Sequence, residues 1–576
     1  MLNRPGQPER LVPAADAPPD DLPLWLTYAD LLLSMRDRDG ARAVLAGLSA
    51  LTERMTARAI LRLWGLAARL GAEEAVIVCL RALLDRPVLS GAEAADALSR
   101  LHAVAPTGTR DRIAARLAAQ VPVAQRRVFD MRASEVQAGP DAALRVFRAA
   151  TAPTRAAGDA VRLGQRLLAT GRDRIALRYL RRCRRVWPTH PRLRSLLAEA
   201  ASRLGMFETS LDLLDAGSTA AERSDTVRER LTVLLRAERV EEALRLLEAA
   251  IADGPQDPRV VGVFLETAVF HLPARRARDV QRTLSSIAEA PLQHTVKFRG
   301  SFLGRVLAEK EVFEIECAHG TRAETIAHRN FFAARAIIDS AFPFGTPPPP
   351  ERGDAVPPRR IVQYWDQGSP PPDIAALIET WKADSAFDHV LHDRQSAMRF
   401  LEEACAPEML VAFRRLRTPT MRSDFLRLAE LALNGGIYAD ADDRLLVSPE
   451  RLVAPGRGLR LFRASVGCIP NNQIAVVPGH PVIVRALDLA LAAIFDGDVD
   501  MPWGLVGPGL LTRALAREVL EAGGLEAADV SLRPDYQIRQ TTQPSVPLPY
   551  RSTAANWRRA DTAASRRLLR KLDALA

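Results

Sequence analysis

Lysine is almost missing from this chain, cysteine is sparse, and long apolar runs do not occur. Lysine stands only at Lys297, Lys310, Lys382 and Lys571, so nearly all the positive charge is arginine. That arginine is spread along Ala- and Leu-rich segments rather than gathered in one patch. No zinc-finger, aromatic RNA-reading or helix-turn-helix pattern accompanies it, so the net charge of +10 does not point to nucleic acid. The five cysteines, Cys79, Cys183, Cys317, Cys405 and Cys468, lie far apart and form no CxxC pair. This argues against a disulfide framework and a thiolate zinc site, and implies a reducing compartment. The opening residues MLNRPGQPERLVPAADAPPDD lack the apolar core of a signal peptide, and no apolar run approaches the ~20 residues of a membrane span. The expected location is cytoplasmic.

What the chain does have is helical periodicity. From about Leu24 to Leu307, Leu, Ala and Val recur at three- and four-residue spacing, and strand signals are nearly absent. Four segments align, GPDAALRVFRAA, GRDRIALRYLRR, GMFETSLDLLDA and ERVEEALRLLEA, with anchors at Leu144, Leu177, Leu211 and Leu244, spaced by 33, 34 and 33 residues. Pro188 and Pro191, then Pro255 and Pro258, fall where one helix stops and the next opens. This is the period of tetratricopeptide-like helix pairs, whose apolar stripes are buried only by stacking on neighbours. The expectation is a solenoid over residues 23–310, after a disordered N-terminus at residues 1–22, with a protein partner on its concave face.

A composition break follows. FPFGTPPPPERGDAVPPRR cannot make a regular helix or central strand, so residues 311–358 are expected to form a connecting helix and a semi-rigid Pro-rich linker. Beyond it, short apolar runs such as RIVQYW, FDHVLHD and NQIAVVPG alternate with helical segments, which indicates an α/β sheet domain over residues 359–576.

Within that domain the stretch GGIYADADD places Asp440, Asp442 and Asp443 in four positions. Asn434, Gly435 and Gly436 supply a left-handed cap ending the helix before it, and Ile437 and Tyr438 begin a strand whose C-terminal end carries the acids. In extended chain Asp440 and Asp442 project on one side. Such a pair suits a hard divalent ion, Mn²⁺ or Mg²⁺, shared with a substrate diphosphate. An EF-hand loop does not fit, because Arg444 and Leu445 stand where it needs oxygen and glycine. A phosphatase with an aspartyl nucleophile and a solvated acidic turn are the other readings of these residues.

The order Arg422-Ser423-Asp424, Arg427, Gly435-Gly436-Ile437-Tyr438, Asp440-Ala441-Asp442 closely resembles the glycosyltransferases with a sugar-binding region containing a DXD motif. That group includes fungal mannosyltransferases, bacterial capsule and lipooligosaccharide transferases and, more distantly, the large clostridial toxins. RIVQYWDQGSPPPDIAALIETW, NNQIAVVPGHP and WGLVGPGLLTRAL continue the likeness over about residues 359–560. The resemblance implies a GT-A-like nucleotide-sugar-binding domain. It also implies transfer of a hexose from a UDP- or GDP-sugar to a glycan, lipid-linked or other hydroxyl acceptor, with retention, in surface polysaccharide or glycoconjugate synthesis. By the same resemblance Gln363, Trp365, Arg422, Asp424, Arg427, Tyr438, Asp440, Gly507 and Trp557 contact the donor, and Asp440, Asp442 and Asn556 hold the metal. No histidine follows His480, where the family often completes its site with one, so Asn556 stands in that place. A scaffold protein with a degenerate catalytic domain is the alternative. The basic amphipathic segment SRRLLRKLDALA adds a peripheral contact at the inner membrane face as an expectation.

Overall fold

A computed structural model describes residues 12, 21–34, 37–102, 107–149, 156–216, 220–252, 261–286, 302–497, 502–546 and 548. The contacts divide the chain into two compact units. One runs from the N-terminus to Ala152 and also takes in Pro291–Gln293 and Pro547–Ala576; the other comprises Pro153–Ala290 and His294–Val546.

The described part of the first unit is helical, from Leu22–Ser34 through Pro140–Ala149. Its core joins residues such as Leu26, Leu45, Ile60, Trp64, Leu80 and Leu98.

The second unit begins with helix pairs: Ala157–Ala169 with Asp173–Val186, Pro191–Arg203 with Phe207–Asp215, Ala220–Arg236 with Val240–Ala252, and Val261–His271 with Ala274–Ser286. Leu177 and Leu211 are buried in the second helix of their pairs, and Leu244 holds the same place half-buried. Pro191 opens its helix as expected, whereas Pro255 and Pro258 lie outside the described residues. In the first three pairs the turn between the helices has a left-handed residue: Gly171 at φ 68°, Gly205 at φ 77° and Glu238 at φ 58°. For a residue with a Cβ that conformation costs about 1–2 kcal/mol. Glu238 is held there because its carboxylate meets the fully buried Arg463 at 2.9 Å and accepts the Gly345 amide.

The helix Phe331–Ala341 packs against Pro508–Ala522 and lends Ala333, Ala334, Ile337 and Ile338 to the sheet domain's core. The Pro-rich stretch is tied down as well. Ala355 and Gly456 exchange backbone hydrogen bonds, and Glu351 accepts from Ser531 and Arg533.

The sheet strands are β1 (Arg360–Tyr364), β2 (Asp388–His392), β3 (Gly436–Ala439), β4 (Arg444–Leu445), β5 (Leu459–Arg463), β6 (Gln473–Val476), β7 (Val530–Pro534) and β8 (Thr542–Gln543). Six of them form one sheet in the order β2-β1-β3-β6-β5-β7, and β4 pairs with β8 in a separate ribbon. β3 runs parallel to β1 and antiparallel to β6. One sheet face, with Val362, Tyr438, Ile474 and Leu532, packs on helices, whereas Ile361, Ile437, Ala439 and Ala475 pack with Trp381 and Leu445 on the other.

Helix Pro419–Asn434 delivers the chain to β3. Thr418 caps its start by accepting from the Met421 amide, and Pro419 sets its first turn. Gly435, at φ 64°, ends it while its amide donates to the Leu431 carbonyl. A Cβ on Gly436 would stand 2.6 Å from the Arg360 carbonyl oxygen, so the second glycine is what lets β3 lie against β1.

Candidate functional site

Tyr438 on β3 and Asp440 just beyond its end alternate with Ile437 and Ala439, and so face the helix Pro419–Asn434 rather than Trp381. That helix places Ser423, Asp424 and Arg427 opposite them. Arg427 is buried beneath the site, its guanidinium 4.2 Å from the centre of the Tyr438 ring. It meets Asp424 at 2.8 Å and Asp440 at 3.1 Å, and it donates to the Asn471 carbonyl and the Ser423 hydroxyl. Tyr438 donates to Asp440 Oδ1 at 3.2 Å and shares a hydrogen with Ser423 Oγ at 2.7 Å. The Asp440 amide donates to Asn472, and Asn471 Nδ2 donates to Asp424 at 3.0 Å.

Burial pushes the Asp424 carboxyl up to about 7, with Arg427 opposing the shift. Asp440, whose side chain is one-third exposed, is pushed up to about 6 by burial, again against the pull of Arg427. Burial works against the Arg427 charge too, but Tyr438, Asp440, Asp424 and Asp443 outweigh it and its pKa is pushed up. One guanidinium thus faces several acids.

Asp443 has a different place. It is fully buried, accepts from Asn472 Nδ2 at 2.8 Å and from the Ser545 amide at 2.7 Å, and burial raises its carboxyl well above the usual range. Its carbonyl accepts the Trp381 indole N–H, so both residues anchor the turn from below. Asp442 stays half-buried beside Asp440.

The residues singled out from sequence are distributed as follows. Asp424, Arg427, Tyr438 and Asp440 form one contiguous cluster. Arg422 stands one helix position before Ser423 and pairs with Asp366 at 2.8 Å, which also accepts from Tyr364. Trp365, half-buried, lies at the end of β1 with its amide on the His392 carbonyl. Gln363 is fully buried, its amide donating to the Asp440 carbonyl and meeting His389 at 2.9 Å, so it ties β1 and β2 to the acidic turn. Gly507 heads the helix Pro508–Ala522 and packs on Trp503. Asn556 and Trp557 lie outside the described residues. Asp366, Asn471 and Ser545 were not among the expected site residues. Asp366 directly follows Trp365 at a strand end and could have been found there, whereas Ser545 carries no local signal.

Among the described residues no group of three or more His, Cys, Asp or Glu is arranged to hold a metal ion. What Asp440 and Asp442 offer is a pair of hard oxygen donors in a surplus of negative charge. That fits a divalent cation which completes its shell with substrate phosphate and water.

Residues 366–456 match the family model described as glycosyltransferase sugar-binding region containing DXD motif, which bears out the resemblance carried by Arg422 to Asp442. Gln363, Trp365, Gly507, Asn556 and Trp557 fall outside that segment. A protein of Photorhabdus asymbiotica named Toxin is 35% identical over 103 residues, 17% of this chain and 3% of that protein. Toxin Afp18 of Yersinia ruckeri is 32% identical over 103 residues, again 17% of this chain and 5% of the relative. The match therefore spans a small fraction of either relative's length. Among solved structures, one titled PaToxG Glycosyltransferase is similar at 20% identity and a TM-score of 0.25, covering 44% of this chain and 95% of that chain.

Proposed function

We propose that this chain, which carries a DXD-containing glycosyltransferase region at residues 366–456, moves a hexose from a UDP- or GDP-sugar to a hydroxyl acceptor with retention of configuration. The observation that carries this reading is the cluster of Asp424, Arg427, Tyr438 and Asp440 at the end of β3, with Asp442 half-buried beside it.

Each residue has a role suited to its chemistry. Trp365 offers an indole face to the nucleotide base. Arg422 and Asp424 hold ribose and sugar hydroxyls, and a buried carboxylate such as Asp424 can accept two of them. The hydrogen bonds from Arg427 and Tyr438 both fall on Asp440 Oδ1, which fixes the carboxylate and leaves Oδ2 to the ligand. Asp440 and Asp442 would hold Mn²⁺ or Mg²⁺, which when bound stabilises negative charge on the diphosphate leaving group. Gln363 and Asp443 keep the turn in place. Asn556 and Trp557 complete the metal and donor contacts in this reading. The helix pairs offer a face to a protein partner, and the acceptor is a glycan or lipid-linked hydroxyl reached from the cytoplasm. No helix among the described residues is long and apolar enough to cross a membrane.

The test is hydrolysis of UDP- and GDP-hexoses with Mn²⁺, comparing wild type with Asp442→Asn. Turnover by the wild type that the variant loses supports the reading, and the anomer released, read by NMR, decides retention. A wild-type protein inert toward every nucleotide-sugar leaves the scaffold alternative.

A further inference from the structure

The helix pairs have a second regularity, and it reaches the acidic turn. The first helices of the four pairs end at Ala169, Arg203, Arg236 and His271; the turns after the first three meet the sheet domain, and the end of the fourth meets helix Phe331–Ala341 and Phe344. Gly205 packs under Tyr536, whose ring Phe207 meets edge-on at 5.0 Å. Glu238 holds Arg463. His271 Nδ1 lies 3.2 Å from Arg335 Nη2 and its ring packs on Phe344. The first turn has the neighbour that matters most. Gln543 Nε2 donates to the Ala169 carbonyl at 2.7 Å, and Arg444 Nη1 donates to the Thr170 carbonyl at 3.1 Å.

Those carbonyls belong to the C-terminal end of a helix, where acceptors lack intrahelical partners and a guanidinium is favoured by the helix dipole. Arg444 and Gln543 are register partners in the β4–β8 ribbon, and Arg444 directly follows Asp443. The same ribbon and the chain beyond it grip the acidic turn. Val546 donates its amide to the Asp442 carbonyl at 2.9 Å, Ser545 to Asp443 Oδ1 at 2.7 Å, and Leu446 to the Thr541 carbonyl at 2.8 Å. Hydrogen bonds joined by one or two residues of chain therefore run from the end of helix Ala157–Ala169 to the C-terminal side of Asp442.

We propose that the helix pairs are a positioning element for the acidic turn, with Arg444 and Gln543 clamped on the Ala169 and Thr170 carbonyls so that Asp442 is held in its working orientation. The consequence for catalysis rests on the glycosyltransferase reading; the mechanical claim does not. Arg444 and Gln543 are positioning residues, and they act only through the turn. On this view the helix pairs are part of the site's scaffold, so deleting them removes more than a docking surface.

The test uses the full chain as wild type, as the double variant Arg444→Ala/Gln543→Ala, and as Arg444→Lys, which keeps a donor. Amide hydrogen exchange over residues 440–446 and 541–546 is expected to speed up about tenfold in the double variant and to stay near wild type in Arg444→Lys. Unchanged exchange in the double variant overturns the proposal whatever the activity. The second readout is the Mn²⁺ concentration that half-saturates binding of UDP or GDP, followed by tryptophan fluorescence. It is expected to rise about tenfold, as for residues that orient metal ligands, while the Tm moves by less than about 2 °C. A lower Tm with unchanged Mn²⁺ half-saturation in the folded fraction means a merely structural brace, and also overturns it. If wild type binds neither nucleotide with Mn²⁺, the glycosyltransferase reading falls and the exchange data alone decide the positioning claim. Should the double variant fail to fold, Gln543→Ala alone carries the same exchange test.

Discussion

Arg427 and Arg463 are both buried with an aromatic ring against the guanidinium, yet their counter-charges differ. Arg463, at the end of β5, lies 4.0 Å from the Phe344 ring centre, 2.9 Å from Glu238 and 3.5 Å from Asp339. Arg335 also pairs with Asp339, at 3.0 Å, so two guanidiniums meet two carboxylates. Carbonyl oxygens of Phe342 and Pro343 take further N–H groups of Arg463. Arg427 instead answers Asp424 and Asp440 alone, with Asp442 and Asp443 adding to the negative field around Asp440 and one flank open to water. A balanced, sealed cluster joins two parts of a fold. An unbalanced one with an open side is poised to take a cation or a ligand that carries one.

Breaking the balanced cluster should have the largest effect on stability. Arg463→Ala leaves Glu238 buried without its main partner, while Asp339 keeps Arg335, and is expected to cost about 3–5 kcal/mol in chemical denaturation. A loss under about 1 kcal/mol would mean that the pair is not a lock. Removing an acid from the unbalanced cluster should do the reverse. Asp442→Asn is expected to lower donor turnover about 10²-fold, which is about 2.7 kcal/mol of barrier, while stability stays within about 0.5 kcal/mol. Comparable losses of stability and turnover would erase the distinction between the two regions. At the edge of the helix pairs, Gly205→Ala puts a Cβ at φ 77° and 3.1 Å from Tyr536, and is expected to cost about 1–2 kcal/mol by thermal unfolding. A neutral result there would show that the turn can shift away from the sheet domain.

The smallest expected effect has a pH signature. The folded protein holds the Asp424 proton up to about 7, whereas an unfolded chain releases it near the ordinary 3.8. Between those values the folded state binds more protons, so this group's contribution to stability falls as pH rises from about 4 to 7 and its cost is full above. Asp424→Asn is therefore expected to stabilise the protein at pH 8, on the order of 1 kcal/mol, and to gain nothing below pH 4. It should also lose donor binding. Equal Tm differences at both pH values would remove the idea that excess negative charge is stored at this site.

Much of the candidate site was legible because its residues are close in sequence. Arg422, Asp424 and Arg427 share one helix, Tyr438 lies on the next strand, and Asp440 and Asp442 follow in the turn after it, so helical and strand periodicities bring Asp424 and Arg427 opposite Tyr438 and Asp440. Gln363 was legible as a site residue but not in its place, because its fully buried amide is spent between His389 and the Asp440 carbonyl, contacts that depend on strand order. Ser545 and Gln543 could not be read at all. They lie about a hundred residues beyond the acids; Ser545 reaches Asp443 through a backbone amide, which every residue type possesses, and Gln543 reaches the Ala169 carbonyl from the opposite direction in sequence. The Pro-rich stretch shows the same limit, since composition reveals stiffness but not that Ala355 pairs with Gly456.

The sequence by itself determined the helix pairs, the alternating strands and the acids at the end of β3, because each follows from local period, capping and turn chemistry. The tertiary structure decided which acids share Arg427, which one is sealed as an anchor, and that the turns after Ala169, Arg203 and Arg236 meet the sheet domain. Those outcomes depend on where charges lose their water and on which partners arrive from distant parts of the chain. Solvation and long-range pairing are properties of the packed molecule, with no counterpart in the order of residues.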